Sequence, residues 1–288
     1  MSYKHELDLL SKRNPDSLRE AFRGSDDKLW YWAQTSGYQE NVWLQKMLPT
    51  LPSDDTQLRF TGRTGKVNLE HAFNAYTLFK ALAEKHYGDI QNEKVLDFGC
   101  GWGRILRFWI KDIPEENLLG FDCLREAIDI CKQTGLPATL RHINPFPPVD
   151  LESNQLALIY AFSVFSHLSE SAANKWIEEF WRLLKPKGLI VMTTRPRSFI
   201  KLSKNIDNLH FNIARLHKAY DEGAFCFEST GGGGGELAET FYGEAIIPKE
   251  YILNNWTGDR FHMLEFMQNE KVSSHGAIDQ NIIVLQKR

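Results

Sequence analysis

The chain has no pair of cysteines in the C-x-x-C spacing. Its four cysteines, Cys100, Cys123, Cys131 and Cys226, stand singly among 288 residues. That spacing argues against a zinc cage or a disulfide scaffold and fits a reducing compartment. No apolar run approaches the roughly 20 residues a bilayer span needs. The opening "MSYKHELDLLSKRNPD" lacks the apolar core of a signal peptide. The expectation is therefore a cytoplasmic protein with no membrane partner. Positive charge is not in excess either. The net charge is −3, which offers no electrostatic footprint for nucleic acid, and none is expected as a partner. No internal repeat and no clear linker divides the chain. What is there is a globular composition, 42% apolar and 25% charged, long enough for one large domain or one with additions.

Residues 1–66 read as a helical N-terminal cap rich in tryptophan. "NPDSLREAF" runs from turn and capping residues into helix formers, and Trp30, Trp32 and Trp43 follow between two turn-like points. "NLEHAFNAYTLFKALAEKHYG" repeats apolar residues at three- and four-residue steps and ends at Gly88, as an amphipathic helix would. From residue 94 short strands and helices alternate: "KVLDF", "NLLGFD", "ATLRHI", "QLALIYAF" and "LIVMTT", with "WGRILRFWIKD", "LREAIDICKQTG" and "SESAANKWIEEFWRLLKPKG" between them. This alternation predicts an α/β fold, a parallel sheet with helices on both faces. Residues 67–194 would form the core. Residues 195–244 break the rhythm with a helix near Phe199–Tyr220 and five consecutive glycines, a lid-like insertion or a flexible surface loop. Residues 245–288 would supply the last helix and two C-terminal strands.

The stretch "VLDFGCGWGRILRFW" carries the chemistry. A strand that ends in a glycine turn and enters a helix presents unpaired backbone N–H groups and the positive end of a helix dipole. The spacing Gly99-x-Gly101-x-Gly103 differs from the G-x-G-x-x-G of dinucleotide folds. Asp97 precedes the first glycine by two. A carboxylate there would repel a pyrophosphate and suits a cationic or hydroxyl-bearing ligand. "GRTGK" at residues 62–66 is too short for a phosphate loop, and Val67 stands where Ser or Thr would be needed.

"VLDFGCGWGR" resembles the first motif of the class I S-adenosylmethionine-dependent methyltransferases, acidic-x-Gly-x-Gly-x-Gly. The resemblance extends over roughly residues 66–195 and implies a Rossmann-like, seven-stranded, mostly parallel sheet closed by an antiparallel hairpin. It implies S-adenosyl-L-methionine as cofactor, approached by Asp97, Phe98, Gly99, Cys100, Gly101 and Gly103. Asp122, ending "NLLGFD", would take the ribose hydroxyls, with Cys123 and Leu124 near the adenine. Asn144 would reach the adenine amino group, although two following prolines shift that loop. Ala161, Phe162 and Ser163 match the end of the fourth-strand motif, which faces the methyl donor. "RLLKPKGLIVMTT" resembles the turn and fifth strand, with Lys187 replacing a glycine. The N-terminal segment covers the cofactor in this family, so Arg63 or Arg59 is expected on the methionine carboxylate.

Methyl transfer is an in-line displacement that requires positioning and exclusion of water. A hydroxyl acceptor also benefits from a base. His167, just after the fourth strand, and His275, before the last, are the candidate catalytic residues. Each has the alternative of a structural, packed ring. The expected function is O-methylation of a small-molecule acceptor, a sugar or secondary-metabolite hydroxyl. The alternatives are N-methylation of an amine or protein side chain, and a non-catalytic module that keeps the fold. An oxidoreductase using NAD is disfavoured by the glycine spacing.

Overall fold

A computed structural model describes residues 3–13, 15–202, 211–268 and 279–288. Seven strands, β1 (Lys94–Phe98), β2 (Leu118–Asp122), β3 (Thr139–His142), β4 (Leu156–Ala161), β5 (Leu184–Thr194), β8 (Phe261–Met267) and β9 (Asn281–Lys287), form one sheet in the order β3-β2-β1-β4-β5-β9-β8. Two others, β6 (Cys226–Ser229) and β7 (Gly243–Ile246), make a separate antiparallel hairpin. The pairs β1–β2, β2–β3 and β4–β5 are parallel, and β9 is antiparallel to both β5 and β8. This is the Rossmann-like α/β architecture expected from the alternation of elements. Among the described residues no helix is long and apolar enough to cross a membrane.

The chain forms two compact units, Met1–Glu84 with Gly88–His142, and Lys85–Tyr87 with Ile143–Arg288. In the first, β1 and β2 are buried almost throughout, because parallel strands carry helices on both faces and need side chains that tolerate burial twice. The N-terminal helices belong to this unit. Trp30 is fully buried, and its indole Nε1 donates to Phe108 O at 2.9 Å. Arg107 donates from Nε to Gln34 Oε1 (2.6 Å) and from Nη2 to Pro49 O (2.9 Å). Burial pulls its guanidinium down to about 10. The cap tryptophan is thus core, as large aromatic side chains usually are. The long helix Gly65–His86 packs Leu69, Ala72, Tyr76, Phe79 and Ala83 inward, three or four residues apart.

Three local expectations are corrected. The helix after the glycine turn is four residues, Leu106–Trp109, rather than the whole of "WGRILRFWIKD". Its flanks, Ile105 to Ile113, are buried, so turns packed on all sides replace a regular amphipathic helix. The strand β5 begins at Leu184, earlier than "LIVMTT", and passes through Lys187, whose φ is +65°. The glycine run is not structureless. It folds as part of the connection between β6 and β7, with Gly233 N donating to Leu237 O (2.9 Å) and Leu237 N to Gly234 O (3.1 Å). A Cβ on Gly233 would lie 2.6 Å from Leu237 Cδ1 and 2.8 Å from Tyr242 Cε1, so glycine is what lets the loop close on itself.

Candidate functional site

The glycine turn leaves β1 at its carboxyl end. Gly99 N and Cys100 N both donate to Phe121 O on β2, at 2.8 and 3.1 Å, which ties the turn to the neighbouring strand. Gly101 and Gly103 both have positive φ, +55° and +80°, but they differ in what surrounds them. A Cβ on Gly103 would collide with Leu136 Cδ2, so that position is closed by the protein's own packing. A Cβ on Gly101 would meet nothing nearer than Phe60 Cδ1 at 3.6 Å. The space beside Gly101 is open to a ligand.

Asp122 closes the other side. It is 8% exposed, and its carboxylate accepts backbone N–H groups: Oδ2 from Gly101 at 2.8 Å, Oδ1 from Leu124 at 2.8 Å, and a third from Cys123. Burial raises its pKa, opposed by these amides and by His142. A carboxylate offers about four acceptor sites, so these amides leave capacity for a further donor. Cys123 and Leu124 follow it, half-buried. Asp97 is 2% exposed, and Phe98 and Cys100 are 5% exposed. The Cys100 thiol is pushed well up by its hydrogen bond with Cys131, by burial and by the charges of Asp122 and Asp97, so it is no nucleophile.

Residues that sequence reasoning did not single out complete this half. Arg104, next after Gly103, is pulled down to about 10 by burial, with Asp97 opposing and Arg63 adding to the effect. Its Nη1 lies 2.8 Å from His71 Nδ1. A guanidinium can only donate, so His71 accepts there. His142 ends β3 directly across from Asp122 in the strand register, and its Nε2 lies 3.0 Å from Cys123 O. Gln57 and Asn68, both buried, hold the loop around Arg63. Gln57 Oε1 accepts from Gly65 N (3.1 Å) and Asn68 Nδ2 (3.2 Å), and Asn68 Nδ2 reaches Arg63 O at 3.1 Å. Arg59 is corrected as a ligand for a free carboxylate. Its guanidinium forms a two-pronged surface pair with Glu126 at 2.7 and 2.6 Å. Arg59 sits exposed on the helix Asp54–Thr61, while Arg63 lies on the loop beyond it.

The second unit holds the remaining candidates. Ala161 is fully buried at the end of β4, and Phe162 and Ser163 follow half-buried. Asn144 is exposed. His167 Nδ1 lies 2.8 Å from Gly243 O and 3.6 Å from Glu244 Oε1, and its ring stacks on Tyr242, 5.0 Å between centroids and 11° between planes. A carbonyl oxygen only accepts, so Nδ1 carries the proton and Nε2 carries the lone pair. Burial pulls this imidazole down to about 4, Arg195 adding to the effect and Gly243 O opposing it. Arg195 also pairs with Glu244 at 3.1 Å and lies over the Phe199 ring at 4.2 Å. His275 lies outside the described residues.

Residues 95–188 match the family model of a methyltransferase domain. An uncharacterised protein of Rickettsia prowazekii is 28% identical over 104 residues, 35% of this chain. The match spans 42% of that relative's length. Among solved structures, a protein of Pyrococcus horikoshii has 14% identity and a TM-score of 0.50, covering 74% of this chain and 90% of its own. An S-adenosylmethionine-dependent methyltransferase of Mesorhizobium loti has 12% identity and a TM-score of 0.49, covering 72% of this chain and 96% of its own. The domain match falls on the segment that contains the glycine turn, Asp97 and Asp122, so residues 95–188 are similar to a methyltransferase domain and the chain shares the Rossmann-like fold of that family's solved structures.

Proposed function

We propose that the chain is a methyltransferase acting on a small molecule, with a hydroxyl of a sugar or secondary metabolite as the acceptor. The observation that carries the cofactor assignment is Asp122. Its buried carboxylate is held by the backbone N–H groups of Gly101, Leu124 and Cys123 and keeps acceptor capacity beside the open flank of Gly101. Those are the requirements of a ribose with two vicinal hydroxyls. The residues therefore fit S-adenosyl-L-methionine, which supplies an electrophilic methyl group on a sulfonium. Asp122 would take the ribose hydroxyls, and Gly99, Cys100 and Gly101 would admit the cofactor to the backbone. Phe98, Cys123 and Leu124 would supply its apolar surroundings. Gly103 would serve the turn through its packing. Asp97 would attract the cationic end and Arg63 the carboxylate, with Arg104 balancing Asp97. Ala161 and Phe162 remain assigned on the resemblance alone, as does Asn144, whose exposure makes it the weakest member.

On the acceptor side, His167 presents a neutral imidazole with Nε2 as its proton-accepting atom. An imidazole held near 4 is a weak base, so it contributes by orienting and accepting a hydrogen bond more than by full proton removal. Residues 195–244, of which 203–210 lie outside the described set, would cover the acceptor, and water exclusion would favour transfer. Amine methylation is the second reading, favoured by the weakness of that base. The singly placed cysteines support a cytoplasmic location as part of this reading. The test is transfer of a labelled methyl group from S-adenosyl-L-methionine to a panel of sugars, phenols and amines, with the methylated atom identified. Products methylated on oxygen support the first reading, and products methylated on nitrogen replace it with the second.

A further inference from the structure

A buried polar cluster in the second unit gathers at the carboxyl ends of β4 and β5 and the start of β9. Ser163 follows β4 with φ +60°, a left-handed conformation that a serine adopts only at a cost. Its backbone N donates to Thr193 Oγ1 at 2.7 Å. Its Oγ receives Gln280 Nε2 at 2.8 Å and lies 3.2 Å from Ser166 Oγ. Ser166 and Thr193 are fully buried and Gln280 is 6% exposed. The strand register explains the convergence. Thr193 pairs with Ile282 and Thr194 with Asn281 across β5–β9, and Gln280 lies directly before Asn281 at the start of β9. Gln280 thereby bridges 117 residues of sequence to reach Ser163.

One atom of this cluster is unsatisfied. Gln280 Oε1 is buried and has no hydrogen-bond partner. A buried carbonyl oxygen without a donor forfeits hydration and receives nothing in return. Its own Nε2 is anchored on Ser163, so the side chain cannot swing to water without breaking that bond. Backbone strain and an orphaned acceptor, fixed together where open α/β sheets bind ligands, mark a preorganised recognition point.

We infer that Gln280, clamped by Ser163, is the acceptor-recognition residue. Its Oε1 accepts a hydrogen bond from an O–H or N–H of the methyl acceptor. This rests on the methyltransferase reading above. The amide is neutral, so it selects a donor group without requiring charge, and it discriminates against acceptors that lack one.

Two variants test the inference. Gln280→Leu removes both amide atoms at similar volume, and Gln280→Glu keeps an oxygen at the recognition point. Three measurements are made on each variant and on the wild type: calorimetric binding of S-adenosylhomocysteine, urea unfolding, and methyl transfer to a methyl glucoside, catechol and benzylamine. S-adenosylhomocysteine affinity is expected to stay within about twofold in both variants. The Gln280→Leu unfolding midpoint is expected to be unchanged or higher, because the orphaned oxygen goes with the hydrogen bond to Ser163. Its kcat/KM for the methylated probe is expected to fall at least about tenfold, carried by KM, with partial rescue in Gln280→Glu. A lowered midpoint in Gln280→Leu overturns the inference, since the amide would then be a satisfied structural group. So does an unchanged kcat/KM. If the wild type binds S-adenosylhomocysteine but methylates none of the three probes, the midpoint decides alone. A wild type that does not bind S-adenosylhomocysteine overturns the methyltransferase reading itself.

Discussion

His167 gives a pH dependence of stability that can be worked from the structure. An unfolded histidine titrates near 6.5, and the buried ring is held at about 4. Between these values the unfolded chain binds a proton that the folded chain refuses. The stability this group confers is therefore fully present above about 6.5 and lost as pH falls towards 4. The full window of roughly 2.5 units corresponds to about 3 kcal/mol. Between about pH 7 and about pH 5 the loss is about 2 kcal/mol. The side chain is 19% exposed, so solvent screening does not erase the effect. His167→Gln keeps an N–H for Gly243 O but cannot titrate. Urea unfolding of both proteins at the two pH values isolates the term. The wild type should lose about 2 kcal/mol more than the variant. Equal losses would refute the burial argument for this ring. The same value moves any catalytic role: a rate limited by His167 should fall near pH 4, not near 6.5.

The glycine turn gives a paired test: Gly103→Ala should destabilise by roughly 2–5 kcal/mol from overpacking against Leu136 and positive-φ strain, while Gly101→Ala should cost about 1 kcal/mol of stability in urea titrations and mainly weaken cofactor binding. Arg107→Met should cost roughly 2–4 kcal/mol by the same assay, since Gln34 Oε1 and Pro49 O lose their buried donor. If residues 195–244 cover the acceptor, amide exchange at 213–247 should slow when S-adenosylhomocysteine and a methylated probe are both present, and equal rates would argue for a static insertion.

The sheet was legible because its strands obey a simple physical rule. β1, β2 and β4 are short apolar runs, and burial on both faces demands such runs regardless of partners. Asp122 could be placed because it ends one of them. The hairpin β6–β7 was not legible, since "CFES" and "GEAI" carry few apolar residues and draw their order from pairing with each other. Contacts between distant residues were hidden for the same reason. His142 matters through its register with Asp122, Arg104 through His71 on the long helix Gly65–His86, and Gln280 through Ser163. The signals available were a histidine ending the third strand and an arginine directly after the last glycine. Arg59 and Arg63 looked alike in sequence and separated only once the helix Asp54–Thr61 faced Arg59 towards Glu126.

The most direct test of the central claim is calorimetric titration of S-adenosylhomocysteine into the wild type, Asp122→Ala and Asp122→Asn, with unfolding curves to confirm that each variant is folded. The account expects the wild type to bind and Asp122→Ala to lose two charge-assisted hydrogen bonds, on the order of 2–4 kcal/mol, or roughly 30- to 1000-fold in affinity. Asp122→Asn, which keeps one acceptor oxygen, should fall between them. Because burial raises the Asp122 pKa, wild-type affinity should weaken on acidification at a pH above the ordinary aspartate range. A folded Asp122→Ala that binds S-adenosylhomocysteine as tightly as the wild type would contradict the account.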